Sequence, residues 1–409
     1  MGAGAAGLAA AIFARRTNPA RSVVLLEGAK RPGAKILVSG GARCNVTNSV
    51  VTERDFWGGR STIVRRVLRA FPVDETVRFF RDLGVPVHEE ANGKLFPDSN
   101  RARDVLDALM AEITRLGVTL HSGSRVHAVE ASADGFTIAT SADNLRARQV
   151  VLATGGQSLP KTGSDGTGFA LARRLGHTIV PPTPGLVPLV LDQGIEVPFH
   201  RNLAGVSQDV ELAVWIDNAV ATRLTGALLW THVGVSGPVA MNASRHWLRA
   251  QLDGRAVKIT VNFLAGAPFE DLDQRWTRLA ADRPGSSLQN ALATMIPASL
   301  ASALIERLAL DGATSLAHLP RDDRRRLVHA LVAWPLPVSG TRGYNYAEVT
   351  AGGVELAEID PSTMQSRVCP GLYLIGEILD VDGRIGGFNF QWAWASARVA
   401  GMALADSVT

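Results

Sequence analysis

The residues with the clearest chemical potential stand at the front of the chain. Gly2, Gly4 and Gly7 follow the spacing G-x-G-x-x-G ahead of an alanine-rich run that reads as a helix from Ala5 to Arg16. In a dinucleotide fold the first glycine makes the turn, the second lets the backbone approach a pyrophosphate, and the third lets the helix pack closely. Free N–H groups at the helix start then face phosphate charge. Glu27 comes 20 residues after Gly7, closing the apolar run that follows Ser22, where a carboxylate accepts hydrogen bonds from a ribose diol. A carboxylate there repels a 2′-phosphate, so the pair points to FAD or NAD rather than NADP.

Further along, residues 28–48 read as a glycine-punctuated loop that carries Lys35, Ser39, Arg43 and Asn45 as donors able to wrap a pyrophosphate and a flavin edge. Cys44 lies in this loop beside Arg43, a setting that would favour the thiolate and allow proton donation or nucleophilic attack. The plainer reading of Cys44 is a small packed residue touching the cofactor. His232 ends the apolar run Ala227 to Trp230 and precedes a Gly-Val-Ser-Gly-Pro turn; it is the best single candidate for a general acid or base, with a structural turn histidine as the equal alternative. Near the C-terminus, Gly376 and Glu377 end a strand, and Gly386, Gly387, Phe388 and Asn389 open the last helix, whose N-terminus could stabilise negative charge on a reduced flavin. Asp380, Asp382 and Arg384 fall in a loop where they could shape substrate entry, with a solvated charge cluster as the plainer reading; Trp392 and Trp394 read as core.

The elements that must hold these groups are those of an α/β protein. The 409 residues are 46% hydrophobic and 20% charged, a globular composition with ample core, and the 40 glycines point to tight turns around something bound. Two distant cysteines without a C-x-x-C spacing argue against a disulfide framework, a zinc ribbon or a dithiol centre, so no metal is expected. No apolar stretch reaches the ~18 residues of a membrane span, and Arg15 and Arg16 follow the apolar run at the front instead of preceding it. A reducing, cytoplasmic setting is the simplest reading. The formal charge is 42 − 38 = +4, and arginine makes up nearly all of the basic residues, a weak pointer to nucleic acid. Strands are expected at 22–27, 118–120, 125–130, 136–140, 149–154, 209–216, 256–264 and 372–376. Helices are expected near 60–70, 73–83, 101–116 and 300–308, with a closing helix over 390–405. The proline cluster Pro181, Pro182 and Pro184 marks a boundary.

Several motifs recur in order from end to end: the Gly2 to Gly7 turn, Ser39-Gly40-Gly41-Ala42-Arg43-Cys44-Asn45-Val46-Thr47-Asn48, Ala153-Thr154-Gly155-Gly156, Thr231 to Pro238, Thr350-Ala351-Gly352-Gly353-Val354, and Gly376 through Trp394. Together they resemble the BaiN/RdsA-type, aminoacetone-oxidase-like family of FAD-dependent oxidoreductases. The resemblance implies one FAD in a doubly wound α/β domain of glutathione-reductase type. That domain would be discontinuous over 1–190 and 340–409, interrupted by a β-barrel-like domain over 191–265 and a helical domain over 266–339. It further implies Gly2, Gly4, Ala6 and Gly7 against the pyrophosphate, and Glu27 and Gly28 by the adenosine ribose. Lys35, Ser39, Gly40, Gly41, Arg43, Cys44 and Asn45 would run along the pyrophosphate and flavin. Val126 would meet the adenine, and Thr154, Gly155 and Gly156 would close the adenosine side. Gly376 and Glu377 would meet the ribityl region, and Gly386, Gly387, Phe388 and Asn389 the isoalloxazine.

Members of that family are associated with reduction of uridine to dihydrouridine in 23S ribosomal RNA, with oxidation of small amino ketones, and with reduction of steroid-like bile-acid intermediates. A flavoprotein with a structural FAD and no turnover is the reading from a different class. There is no second G-x-G-x-x-G followed by a strand and an acid, so NADH or NADPH would visit the flavin as a transient reductant. The family pattern also has a short strand before the glycine turn, and here only Met1 precedes it; the first strand of the sheet is expected to be missing.

Overall fold

A computed structural model describes residues 1–192, 194 and 199–406 of the chain. It divides into two compact units, Met1–Gly185 with Tyr344–Thr409, and Leu186–Gly343.

In the first unit the apolar run after Ser22 forms the strand Val24–Glu27, which pairs in parallel with Thr119–Ser122. Val150–Leu152 pairs in parallel with Leu372–Leu374. Between these pairs runs the glycine turn's first residue pair. Gly2 N–H donates to Leu26 O at 2.7 Å, the Met1 amine to Val151 O at 2.9 Å, and Ala153 N–H to Met1 O at 2.9 Å. The order across the sheet is therefore 119–122, 24–27, residues 1–2, 150–152 and 372–374. Met1 and Gly2 occupy the place where the family pattern puts a first strand.

The helix Ala5–Thr17 is buried without a break from Ala6 to Ala14, because its alanines leave room for close neighbours on every side. It packs chiefly against the closing helix Phe388–Asp406, and Phe13 meets Phe71 edge to face at 5.4 Å. Ala102–Arg115 buries Val105, Leu106, Leu109 and Ile113, an apolar stripe at helical spacing. Its Glu112 is tied to Arg115 and to Arg16 of the first helix. Val126–Ser132, Gly135–Thr140 and Asn144–Ala147 form the inserted antiparallel sheet.

One expectation fails here. Residues 28–48 are not all loop: Ala34–Ala42 is helical until Ser39, Gly40 and Gly41 leave helical geometry. The proline cluster lies in the strand Ile179–Gly185, which pairs antiparallel with Val349–Val354, and the two units divide directly after it, between Gly185 and Leu186, where the cluster had marked a boundary. A register shift between Val180 and Thr183 takes up Pro181 and Pro182, which have no N–H to give a ladder.

The second unit is built on seven strands in the order Trp334–Leu336, Val257–Asn262, Ser207–Ile216, Ala219–Thr231, Gly234–Ser236, Leu189–Leu191 and Val338–Thr341. The helix Pro238–Leu252 escaped the sequence reading because its buried face uses small residues, Ala240, Ala243, Ser244 and Ala250, around Val239 and Trp247. Phe269–Asp282, Leu288–Ala293, Ala298–Arg307 and Arg321–Val332 follow. One apolar cluster joins strand residues such as Leu212 and Val261 to helix residues such as Leu300 and Leu327. No helix among the described residues is long and apolar enough to cross a membrane.

Candidate functional site

The glycine turn separates into two kinds of position. Gly2 has φ 93°, and a Cβ there would fall 2.4 Å from Ala153 O; a Cβ on Gly7 would fall 1.8 Å from Gly2 O. Both are dictated by the protein's own packing. Gly4 has φ −86°, ordinary for any residue, and no protein atom lies within 4 Å of an added Cβ. No protein atom occupies the space in front of Gly4, which leaves it open to a bound group. The helix that starts there has no side-chain cap and no acidic residue in its first turn, which leaves its N–H groups available to an anion.

Glu27 ends its strand beside this turn. Its Oε2 accepts Ala3 N–H at 2.7 Å and its Oε1 accepts Ala29 N–H at 2.8 Å, which fixes the carboxylate and leaves each oxygen a further lone pair. Gly28 is exposed and backs onto Arg125, whose guanidinium pairs with Asp165; Val126 is buried at the start of its strand.

Lys35 is the centre of a second group. Its ammonium donates to Glu377 Oε2 at 2.7 Å and to Ser158 Oγ at 2.7 Å, with Ser164 Oγ at 3.4 Å. Glu377 Oε1 accepts the Ser158 hydroxyl at 2.7 Å and Thr350 N–H at 3.0 Å, and Thr350 Oγ1 accepts Gln157 N–H and Ser158 N–H. Gly376 lies against Ala6 of the first helix, and Gly156 against Thr350. Ser158, Ser164 and Thr350 are functional candidates that the residue-level reading missed. Thr350 opens one of the quoted motifs, whereas no local signal marks the two serines.

The third group joins the 39–48 segment to the start of the closing helix. Asn48 Nδ2 donates to Gly386 O at 3.1 Å, Thr47 Oγ1 to Gln391 Oε1 at 2.7 Å, and Trp394 Nε1 to Val46 O at 2.9 Å. Asn389 bonds the backbone of Gly383 in both directions, locking the turn, and Phe388 is buried against Phe56. Asn45 Oδ1, and Thr154 Oγ1 in the neighbouring group, are buried with no hydrogen-bond partner.

Three readings of side chains are corrected. Cys44 is fully buried, and burial pushes its thiol up to about 12 despite a hydrogen bond with Ser39, the reverse of an activated thiolate. Arg43 is not what sets that thiol: its guanidinium pairs with Glu90 at 2.6 Å and stacks over Phe96 at 4.0 Å. Asp380 and Asp382 are buried, not solvated, because Val381–Gly383 forms a strand against Phe56–Gly58. Arg384 pairs with Asp55. Ser39, Gly40 and Gly41 form the kink before Cys44, with the Ser39 hydroxyl turned back to Ile36 O at 2.7 Å. His232 belongs to the second unit, exposed in the two-residue turn between Ala219–Thr231 and Gly234–Ser236. Among the described residues no cluster of three or more His, Cys, Asp or Glu is placed to hold a metal.

The family model of the HI0933-like protein Rossmann domain matches residues 1–403. This chain belongs to the HI0933-like family. It is 35% identical over 406 residues to the 3-dehydro-bile acid delta(4,6)-reductase of Clostridium scindens, covering 99% of this chain and 98% of that one. It is also 35% identical over 400 residues to the ribosomal RNA dihydrouridine synthase of Escherichia coli, covering 97% and 95%. Among solved structures, the fold is similar to that of quinol fumarate reductase of Escherichia coli, with TM-score 0.50, 16% identity, and 99% of this chain against 69% of that one. A second is 3-ketosteroid delta1-dehydrogenase of Sterolibacterium denitrificans, with TM-score 0.50, 14% identity, and 100% against 98%. The chain is thus an oxidoreductase of a flavin-dependent family, built on a Rossmann-like α/β fold.

The residues fit a flavin dinucleotide. Gly4 fronts open space, the first helix presents bare N–H groups, and Asn45 Oδ1 and Thr154 Oγ1 lack partners that a bound group can provide. When bound, such a group supplies two-electron hydride chemistry. The residues that would hold it are the glycine turn for phosphate and Glu27 for a ribose, with Lys35 and Glu377 as a fixed ion pair beside them.

Proposed function

We propose that this chain is an FAD-dependent reductase that saturates a carbon–carbon double bond conjugated to a carbonyl, with uridine of 23S ribosomal RNA as its substrate and NADH or NADPH as a transient reductant in the cytoplasm. The observation that carries the FAD part is Gly4, a glycine with no protein neighbour to explain it at the bare start of a helix. The substrate class comes from chemistry shared by two relatives. A dihydrouridine synthase and a delta(4,6)-reductase of a 3-dehydro bile acid both act on a double bond polarised by a carbonyl. The excess of basic residues, 42 against 38 acidic, supports an RNA substrate in preference to a neutral one.

Reconstitution with FAD followed by gel filtration tests the first part: flavin absorbance co-eluting with the protein is expected, and its absence overturns the reading. Mapping dihydrouridine in 23S RNA from a strain lacking this chain tests the second, with loss at one site expected and an unchanged level against it. The equal 35% identity to the bile-acid reductase supports one further reading, a 3-oxo steroid as substrate. Anaerobic reoxidation of the reduced flavin by a 3-oxo-4,6-diene steroid, with none by RNA, would favour it.

A further inference from the structure

A cavity of about 510 Å³ lies within the first unit, walled by three segments. Ala70 ends the helix Ser61–Ala70, Thr363 and Gln365 come from the turn after Asp360, and Arg398 and Met402 stand one turn apart on the closing helix. Tyr373, only 3% exposed, lines it as well. The turn holds its own shape: Met364 N–H donates to Asp360 O at 2.7 Å and Asp360 N–H to Gln365 O at 2.9 Å, while Gln365 bridges to Tyr373. None of these residues belongs to the groups around Gly4, Lys35 or Asn48. Arg398 stands ten residues beyond Phe388, which is ~15 Å along the helix axis.

Arg398 is the one charged residue in the lining. Its guanidinium lies over the Phe13 ring at 5.3 Å, and among the described residues no carboxylate pairs with it and no acceptor takes its N–H groups. Burial works against its charge; Glu75 pulls the other way, but Glu75 is itself paired with Arg78 at 2.6 Å. The nearby carboxylate of Asp360 is already engaged by Ser362 N–H at 2.9 Å and the Ser362 hydroxyl at 2.6 Å, and Arg367 and Arg66 also draw on its charge. The uncharged polar groups of the lining have capacity to spare. Thr363 Oγ1 accepts Gln365 N–H at 3.1 Å and the Tyr373 hydroxyl accepts Gln149 Nε2 at 3.3 Å, so each keeps its own proton to donate.

We propose that this cavity binds a small amphiphilic anion, one carboxylate or phosphate ester on an apolar body, at a site separate from the cofactor. The planar fork of a guanidinium matches two oxygens of either head group. A single cation in the lining suits one oxyanion and not a polyphosphate chain. Ala70, Val399, Met402 and Ala403 supply hydrocarbon for the body. The volume falls within the ~300–1,000 Å³ of small-molecule sites.

Calorimetric titration of the full chain, with and without FAD, tests this with octanoate, octyl phosphate and octanol as probes. Wild type is expected to bind at least one of the two anions with a dissociation constant of about 1 mM or below, and octanol at least about tenfold more weakly. The tighter of the two anions identifies the head group. Arg398→Gln is expected to weaken the anion about tenfold or more and to leave octanol unchanged. Ala70→Trp, made at an exposed position, fills the cavity while keeping Arg398, and should abolish binding of all three probes. Circular dichroism of both variants should match wild type. No binding of either anion by wild type, octanol binding as tightly as the anions, or anion binding unchanged by either substitution overturns the proposal. Should Arg398→Gln fail to fold, Ala70→Trp and the comparison with octanol decide it. Agreement between the titrations with and without FAD keeps the outcome independent of the cofactor reading.

Discussion

Lys35 Nζ and Glu377 Oε2 stand 2.7 Å apart although 342 positions separate them in the chain. Each is also held from a third segment, Lys35 by Ser158 and Glu377 by Ser158 and Thr350, so the pair ties both arms of the discontinuous first unit to one point. Replacing Lys35 with Ala removes a charge-assisted bond worth ~1.5–3 kcal/mol while leaving Glu377 its Ser158 and Thr350 donors. The expected result is a folded protein whose affinity for FAD falls about 10-fold to 100-fold, read by calorimetric titration. Lys35→Arg should recover little, because a planar fork cannot reproduce a point donor to two different segments. Unchanged affinity in Lys35→Ala would separate this pair from the cofactor.

Gly4 and Gly7 should respond oppositely to a side chain. A Cβ on Gly7 would fall 1.8 Å from a backbone oxygen, so Gly7→Ala is expected to give insoluble or unfolded protein. The Cβ of Gly4→Val meets no protein atom within 4 Å and the φ is allowed, so its circular dichroism and melting should match FAD-free wild type to within a degree or two. Its FAD absorbance after reconstitution should be lost. A Gly4→Val protein that binds FAD normally would remove the pyrophosphate from this turn.

The front of this site was legible because its parts are local. The spacing of Gly2, Gly4 and Gly7 and the strand-end position of Glu27 follow from one turn and one strand, and the structure places them together through Glu27 and Ala3 N–H. The Lys35 group was only half legible. Lys35 and Glu377 stood in recognisable motifs, but their mutual contact depends on tertiary folding, and Ser158 and Ser164 have no pattern of their own. For Cys44 the plainer reading, a packed residue, agrees with its full burial, and only the activated-thiolate alternative fails, having taken a neighbour in sequence as a neighbour in space; Asp382 was misread as solvated. Arg43 instead turns to Glu90, and Asp382 is carried inward by a strand that its own loop-like sequence does not announce.

Cys44 should behave as a core residue. With its thiol pushed up to about 12 and no exposed surface, almost none is thiolate at neutral pH. Iodoacetamide at pH 8 is expected to leave Cys44 unmodified in native protein and to label it after unfolding, as read by peptide mass spectrometry. Cys44→Ala should retain substrate turnover within about 3-fold while losing some stability, since it empties a little core volume. Rapid native labelling, or loss of turnover with FAD still bound, would restore the cysteine as a chemical participant.

Thr154 carries the sharpest separation between holding the fold and holding the cofactor. Its hydroxyl is buried with no partner, and a group left in that state costs about 1–3 kcal/mol. Thr154→Val keeps the shape and removes the hydroxyl. In FAD-free protein it should therefore raise the melting temperature, by about 1–3 °C. In the presence of FAD the order should reverse, because wild type gains a hydrogen bond on binding that the valine cannot make, and the variant's FAD affinity should fall about tenfold. Melting curves with and without saturating FAD measure both effects in one experiment. A variant stabilised equally in both conditions would mean that the hydroxyl faces no cofactor, and one unchanged in both that water already satisfies it.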